Sequence, residues 1–149
     1  MGKFVFKLEP LYEYRQRMEE ISQREFSEAL RRLEDEEVKL NRLKAANQKA
    51  FGEMDEMKEK GAGVEEINLY YLYIAGLKNR IGEQEKILKE FRELLELNRK
   101  KLIEASKGRK VIEIMKERSF NSYIEGINRE EQKTADDMVN SLYKRSGNQ

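Results

Sequence analysis

Apolar residues recur every seven positions, in two interleaved rows, along most of the second half of this chain. Ile67, Ile74, Ile81, Leu88, Leu95 and Leu102 form one row, and Tyr70, Leu77, Gln84, Phe91, Asn98, Ala105 and Ile112 form the other. Six heptads without a skip exceed the roughly three or four that mark a coiled coil. A helix carrying such a stripe buries it against a second helix, and the first half of the chain supplies one. Its only proline, Pro10, is tolerated in a first helical turn, where amide hydrogens lack partners anyway. From there to Glu59 nothing stops a helix. Phe26, Leu33, Leu40, Asn47 and Met54, with Ala29, Glu36, Leu43, Ala50 and Met57 three residues on, make its a/d seam. Nearer the start, Leu11, Tyr14, Met18 and Ile21 read as a similar stripe in a different phase. The steps of four from Ile21 through Glu25 and Ala29 to Leu33 predict a stutter that locally unwinds the supercoil.

Between the arms, Lys60-Gly61-Ala62-Gly63 is the one plausible turn, its glycines supplying the positive φ a helix end needs. A short turn between long helices forces them antiparallel. The expected fold is therefore all-α, two long helices in an antiparallel coiled-coil hairpin with the second longer than the first. It reads as a single domain over residues 1–149, with helices over about 9–59 and about 64–145. Reversal about residues 60 and 61 sets position i beside 121 minus i, so Leu8 is expected near Glu113. Roughly thirty residues then overhang, a helix of about 45 Å if it stays helical. Charge agrees with this pairing: Glu9–Glu37 holds ten acids and five bases, Arg99–Arg118 eight bases and three acids. The 40% charged residues also suit a thin rod better than a compact globule, which averages about 25%.

Most chemistry is excluded at this level. The absence of Cys removes disulfides, thiol catalysis and thiolate metal sites, and the absence of His removes the commonest acid–base and zinc-binding group. No glycine-rich loop runs into Lys-Ser or Lys-Thr, and Gly61-Ala62-Gly63 is too short for a dinucleotide fingerprint. Paired carboxylates need a sheltered pocket to separate their pKa values, and a two-helix rod has none. The expectation is a non-enzyme with no cofactor, metal or small-molecule substrate. Lys plus Arg number 30 against 29 Asp plus Glu, so no global field draws it to nucleic acid or lipid. No apolar run approaches a membrane span and Met1–Leu11 lacks a signal-peptide core, so a cytoplasmic location is expected.

What remains is binding. The basic stretch Arg99–Arg118 could touch phosphates, but it holds no aromatic residue for base stacking and reads better as the complement of the acidic arm. Asn47 and Asn98, at seam positions, read as devices that fix register. Leu69, Tyr71, Leu72 and Tyr73 fall at outward positions c, e, f and g, and with Ala75 and Gly76 form an apolar patch just after the turn. Exposed patches rimmed by charge mark partner surfaces, where Tyr is enriched. The overhang carries Phe120, Tyr123, Ile124, Ile127, Met138, Val139, Leu142 and Tyr143 without a clean repeat, and Gly108 and Gly126 weaken its helix. It reads as a segment that orders on contact with a partner, or as a frayed terminus.

The opening Lys3-Phe4-Val5-Phe6-Lys7-Leu8-Glu9-Pro10-Leu11, with Tyr14-Arg15 and Glu19-Glu20 behind it, resembles the start of the FliJ family of the bacterial flagellar type III export apparatus. Ile74-Ala75-Gly76-Leu77 with Ile81 and Gln84, then Arg109-Lys110, Glu113 and Lys116-Glu117-Arg118, are similar too. So is the tail, Glu131-Gln132-Lys133 before Asp136-Asp137. The resemblance implies a stalk like the gamma subunit of rotary ATPases, which inserts the end bearing both termini into the hexameric export ATPase and promotes its assembly and activity. It also implies contact with the membrane export gate and with export chaperones, at the cytoplasmic face of the membrane at the flagellar base. Phe4, Phe6, Leu8, Arg109, Lys110, Lys116 and Arg118 would then lie at the ring end, and Leu69, Leu72, Tyr73, Leu77 and Gln84 at the gate end. A stalk of a virulence-type secretion system would share the architecture, a general coiled-coil chaperone or adaptor would need no ATPase, and a nucleic-acid-associated rod would bind DNA salt-sensitively through Arg99–Arg118.

Overall fold

A computed structural model describes residues 2–147. Two helices, α1 (Glu9–Glu59) and α2 (Val64–Gly147), pack against each other, and the second is the longer. No strand forms among the described residues. The helices contribute to two compact units, one of Glu20–Ile103 and the other of residues 2–19 with 104–147.

In the unit Glu20–Ile103 the seam is apolar. Ala50 and Met54 pack on Ile74 and Leu77, with Leu43, Ala46, Ile67 and Tyr70 around them, and Leu33 and Leu40 pack on Leu88 beside Ile81, Phe91 and Leu95. Apart from Ala46, these are residues the heptad rows select, and full burial of each Leu, Ile, Phe or Met side chain among them stabilises by about 1.5–3 kcal/mol. Polar contacts also cross this seam: the Gln84 amide donates to the Glu36 backbone carbonyl at 3.1 Å and to the Glu36 carboxylate, and the Tyr70 hydroxyl donates to Glu53. Gln84 is buried. Asn47, expected to fix register, leaves its buried Oδ1 without a hydrogen-bond donor, whereas the buried Gln84 is bonded to Glu36 across the seam.

The turn closes α1 with a Schellman cap. The Ala62 amide donates to the Met57 carbonyl at 2.9 Å and the Gly61 amide to Lys58 at 3.2 Å, with Gly61 at φ 77°. The first α2 bond runs from the Ile67 amide to the Gly63 carbonyl at 3.2 Å. Because the cap uses the residues that follow Glu59, the reversal centres near Ala62 rather than at 60 and 61. Cross-arm partners shift accordingly: Tyr70 meets Glu53, and Lys116 meets Glu9. Leu8 lines a groove with Met115 and Ser119.

The expected stutter is absent. Inward positions continue from Phe26 back through Ser22, Glu19 and Tyr12 to Leu8 in one heptad phase, while Tyr14, Met18 and Ile21 stand 51%, 38% and 39% exposed. In the unit of residues 2–19 and 104–147, polar residues hold the seam because opposite charges face each other there. Arg109 Nε donates to Glu19 at 2.6 Å, Lys116 Nζ lies 2.8 Å from a Glu9 oxygen, and the Arg15 side chain reaches over Gly108.

The overhang also begins later than expected. Residues 2–6 do not stop at the start of α1 but lie along α2, so Phe4 stacks edge-on against Phe120 at 5.3 Å and Tyr123 donates to the Gly2 carbonyl at 2.6 Å. Residues 128–147 are exposed at every position, and they are helical.

Candidate partner-binding surfaces

The turn-proximal patch follows from heptad geometry. Ile67, Tyr70, Ile74 and Leu77 occupy the seam, so Leu69, Leu72 and Tyr73 must point away from it. They are 65%, 71% and 53% exposed. Tyr71, on the opposite flank, is held by Lys58, which donates to its hydroxyl at 3.1 Å and lies 5.3 Å over its ring. Tyr70 donates to Glu53 at 3.0 Å, and this bond to an anion pushes its hydroxyl pKa up. Of the five residues grouped with this patch from sequence, Leu69, Leu72 and Tyr73 form a surface, whereas Leu77 and Gln84 lie beneath in the seam. The two buried residues hold the helices that present the patch.

The second surface surrounds the N-terminal strap. Phe6 is buried; Phe4 is half-buried between Phe120 and Tyr123, its centroid 5.5 Å from the latter. Lys3, Phe4, Val5, Phe6, Lys7 and Leu8 face Met115, Ser119, Ser122 and Tyr123 across an open groove. Aromatic pairs of this geometry contribute about 0.5–1.5 kcal/mol beyond their burial, so the strap is docked rather than loose.

Below the strap, the basic stretch divides into paired and free cations. Arg109 bonds to Glu19 and Glu113, and the Glu19 bond raises its pKa above the ordinary range. Lys116 bonds to Glu9 and lies 4.9 Å over the Tyr12 ring; the Glu9 bond raises its pKa as well. Arg99 is engaged by Glu96 on its own helix. Lys110 and Arg118 are exposed and make no ion pair among the described residues. The charge-complement reading of this stretch therefore describes Arg109 and Lys116, which join α1 to α2, and leaves Lys110 and Arg118 to face solvent.

Two features escaped the sequence reading. The first is that Tyr14 and Met18 are outward, together with Val111 and Met115 at 57% and 42% exposure on α2. Extending the Phe26–Leu33 phase backwards, instead of starting a new one at Leu11, would have placed Tyr14 and Met18 at c and g. The second is the strap's course along α2, which no periodicity signals because residues 2–7 are not helical.

The concavities are open grooves; one is lined by Glu20, Gln23, Arg24, Ser27, Glu28 and Arg31 of α1 alone. Among the described residues no group of His, Cys, Asp or Glu converges to hold a metal, and no helix is long and apolar enough to cross a membrane.

Comparison with solved structures finds the same fold in a putative YscO homolog from Chlamydia trachomatis, at TM-score 0.56 and 19% identity over 99% of each chain. No individually curated protein matches. The family model described as "Flagellar FliJ protein" matches residues 4–148.

Proposed function

The chain belongs to the FliJ family, and on that footing we propose that it serves a type III protein export apparatus as a non-enzymatic coiled-coil stalk. The observation that carries this reading is the family match over residues 4–148 on a pair of packed helices, the second longer than the first. In the finer form of the proposal the apparatus is flagellar. The strap and the polar seam beneath it engage the hexameric export ATPase and promote its assembly and activity. Lys110 and Arg118, exposed and without an ion pair among the described residues, offer the ring its first charged contacts, while Phe4, Phe6, Leu8, Arg109 and Lys116 keep the strap and seam in place. The turn-proximal surface of Leu69, Leu72 and Tyr73, supported by Leu77 and Gln84, engages the membrane export gate. Its exposed apolar character supports that role, since such surfaces bind proteins through a few large side chains. Export chaperones are the third partner class. The protein then works at the cytoplasmic face of the membrane, at the flagellar base, and supports motility without itself crossing the bilayer.

Copurification with the cognate export ATPase and with the cytoplasmic part of the gate tests both contacts. Deleting residues 2–8 is expected to lose the ATPase and keep the gate; Tyr73→Asp is expected to lose the gate and keep the ATPase, with the helical circular-dichroism spectrum unchanged. Retention of both partners by both variants would remove these surfaces from the proposal. Restoration of flagellar assembly in a strain lacking the gene distinguishes a flagellar stalk from one serving a virulence-type system.

A further inference from the structure

The last part of α2 has a geometry that the export reading does not use. Residues 128–147 form a helix exposed along its whole length, with Met138, Val139 and Leu142 each 64% exposed and Tyr143 79%. A lone helix of this size is marginal in water and gains most of its stability by packing an amphipathic face. Glu131, Ala135, Met138, Leu142 and Arg145 follow one another at spacings of four, three, four and three, the spacing of a coiled-coil seam. Read from either end, that series places an acid opposite a base, a small residue opposite a large one, and methionine at its centre. Glu131 and Arg145 make no ion pair within the chain among the described residues.

We propose that residues 128–147 are an antiparallel homodimerisation helix whose partner is the same segment of a second copy of this chain. Turned end for end about Met138, the second copy brings its Arg145 to Glu131 and its Leu142 to Ala135, with the two Met138 side chains meeting on the two-fold axis. A parallel arrangement would set Glu131 beside Glu131 and Arg145 beside Arg145, which charge repulsion disfavours. The antiparallel interface is isologous, so each favourable contact occurs twice. A contact of about five turns lies at the small end of specific interfaces, and the dimer is therefore reversible and concentration-dependent.

The chain has no cysteine, so single-cysteine variants report the geometry directly. Met138→Cys is expected to cross-link to its mate under mild oxidation, because the axis brings the two Cβ atoms within reach of a disulfide. Glu131→Cys alone is expected to stay uncross-linked, since the two copies of that position lie about 21 Å apart in the antiparallel pair. A mixture of E131C and R145C chains is expected to cross-link to each other. These side chains are exposed, so the variants leave the rest of the molecule intact. Sedimentation equilibrium of the unmodified full chain from ~10 µM to ~1 mM is expected to show reversible dimers. Glu131→Arg is expected to weaken them by about tenfold through two like-charge contacts, and E131R/R145E to restore them. A chain monomeric over that range, E131C cross-linking as readily as M138C, or failure of the double reversal to restore the dimer would each overturn the proposal.

Discussion

Replacing Leu88 with alanine gives the sharpest reading of the seam. Leu88 is 1% exposed and packs against Leu33 and Leu40, with Ile81, Phe91 and Leu95 around it. Truncation removes three buried carbons, about 0.8 kcal/mol each in transfer alone, or roughly 2.4 kcal/mol. Residual cavity adds to this in thick cores, where Leu→Ala costs about 2–5 kcal/mol. A layer only two helices thick can close on the gap, so the expected loss is about 2–3 kcal/mol. Leu97, on the same helix but 50% exposed, sets the control: its alanine variant should lose no more than about 0.5 kcal/mol. Urea unfolding followed by far-ultraviolet circular dichroism measures both, with the slope checked for unchanged cooperativity. If Leu88→Ala cost less than about 0.5 kcal/mol, or Leu97→Ala cost as much as Leu88→Ala, the heptad phase assigned to α2 would be wrong.

Other perturbations probe other elements. Gly61→Ala forces a side chain into φ 77° at the cap of α1 and should destabilise by about 1–2 kcal/mol, whereas Gly63→Ala, with no positive φ, should cost less; thermal unfolding compares them. Phe4→Ala removes the ring packed on Phe120 and Tyr123, and should speed proteolytic cleavage after Lys3 and Lys7 while leaving the unfolding of the remainder unchanged. Charge reversal at Glu19 alone should destabilise, and E19R/R109E should recover part of the loss, because reversing Arg109 also sets a carboxylate beside Glu113. A double variant less stable than the sum of the two single variants would show that this pair does not join the arms. The Gln84 amide, and after it Lys39, hold the Glu36 carboxyl below its ordinary 4.5. A folded pKa below the unfolded one gives stability that is complete above about pH 4.5 and fades as pH falls through the folded value. Gln84→Leu should therefore flatten that acid limb, and an acid dependence identical to the parent's would remove Gln84 as the cause.

Periodicity made the helices and most of the seam legible because burial in a two-helix coil depends on little else. Leu33, Leu40, Leu88, Ile74 and Leu77 are buried where the seven-residue repeat puts them. The same rule misled at the start of α1, where Tyr14, Met18 and Ile21 look like seam while Tyr12, Glu19 and Ser22 occupy it. Ser22 is buried, and Glu19 turns inward because Arg109 stands opposite. Charge complementarity across arms thus overrode hydrophobicity, and only the partner's sequence in the right register could have revealed it. The register itself was off because a Schellman cap lengthens the reversal past Lys60-Gly61. The outward patch at Leu69, Leu72 and Tyr73 was readable, since a clear seam fixes what lies outside it. The strap was not, because Phe4 and Tyr123 are brought together by tertiary packing of an extended segment that carries no period.

The role of this chain as a stalk is tested most directly by the rate of ATP hydrolysis by the cognate export ATPase, measured with and without it while ring formation is followed in parallel. The full chain is expected to raise both the rate and the fraction of hexamer, and a chain lacking residues 2–8 is expected to raise neither. A well-folded full chain that leaves the rate and the assembly state of the ATPase unchanged would contradict that role and leave a coiled coil whose partner lies elsewhere.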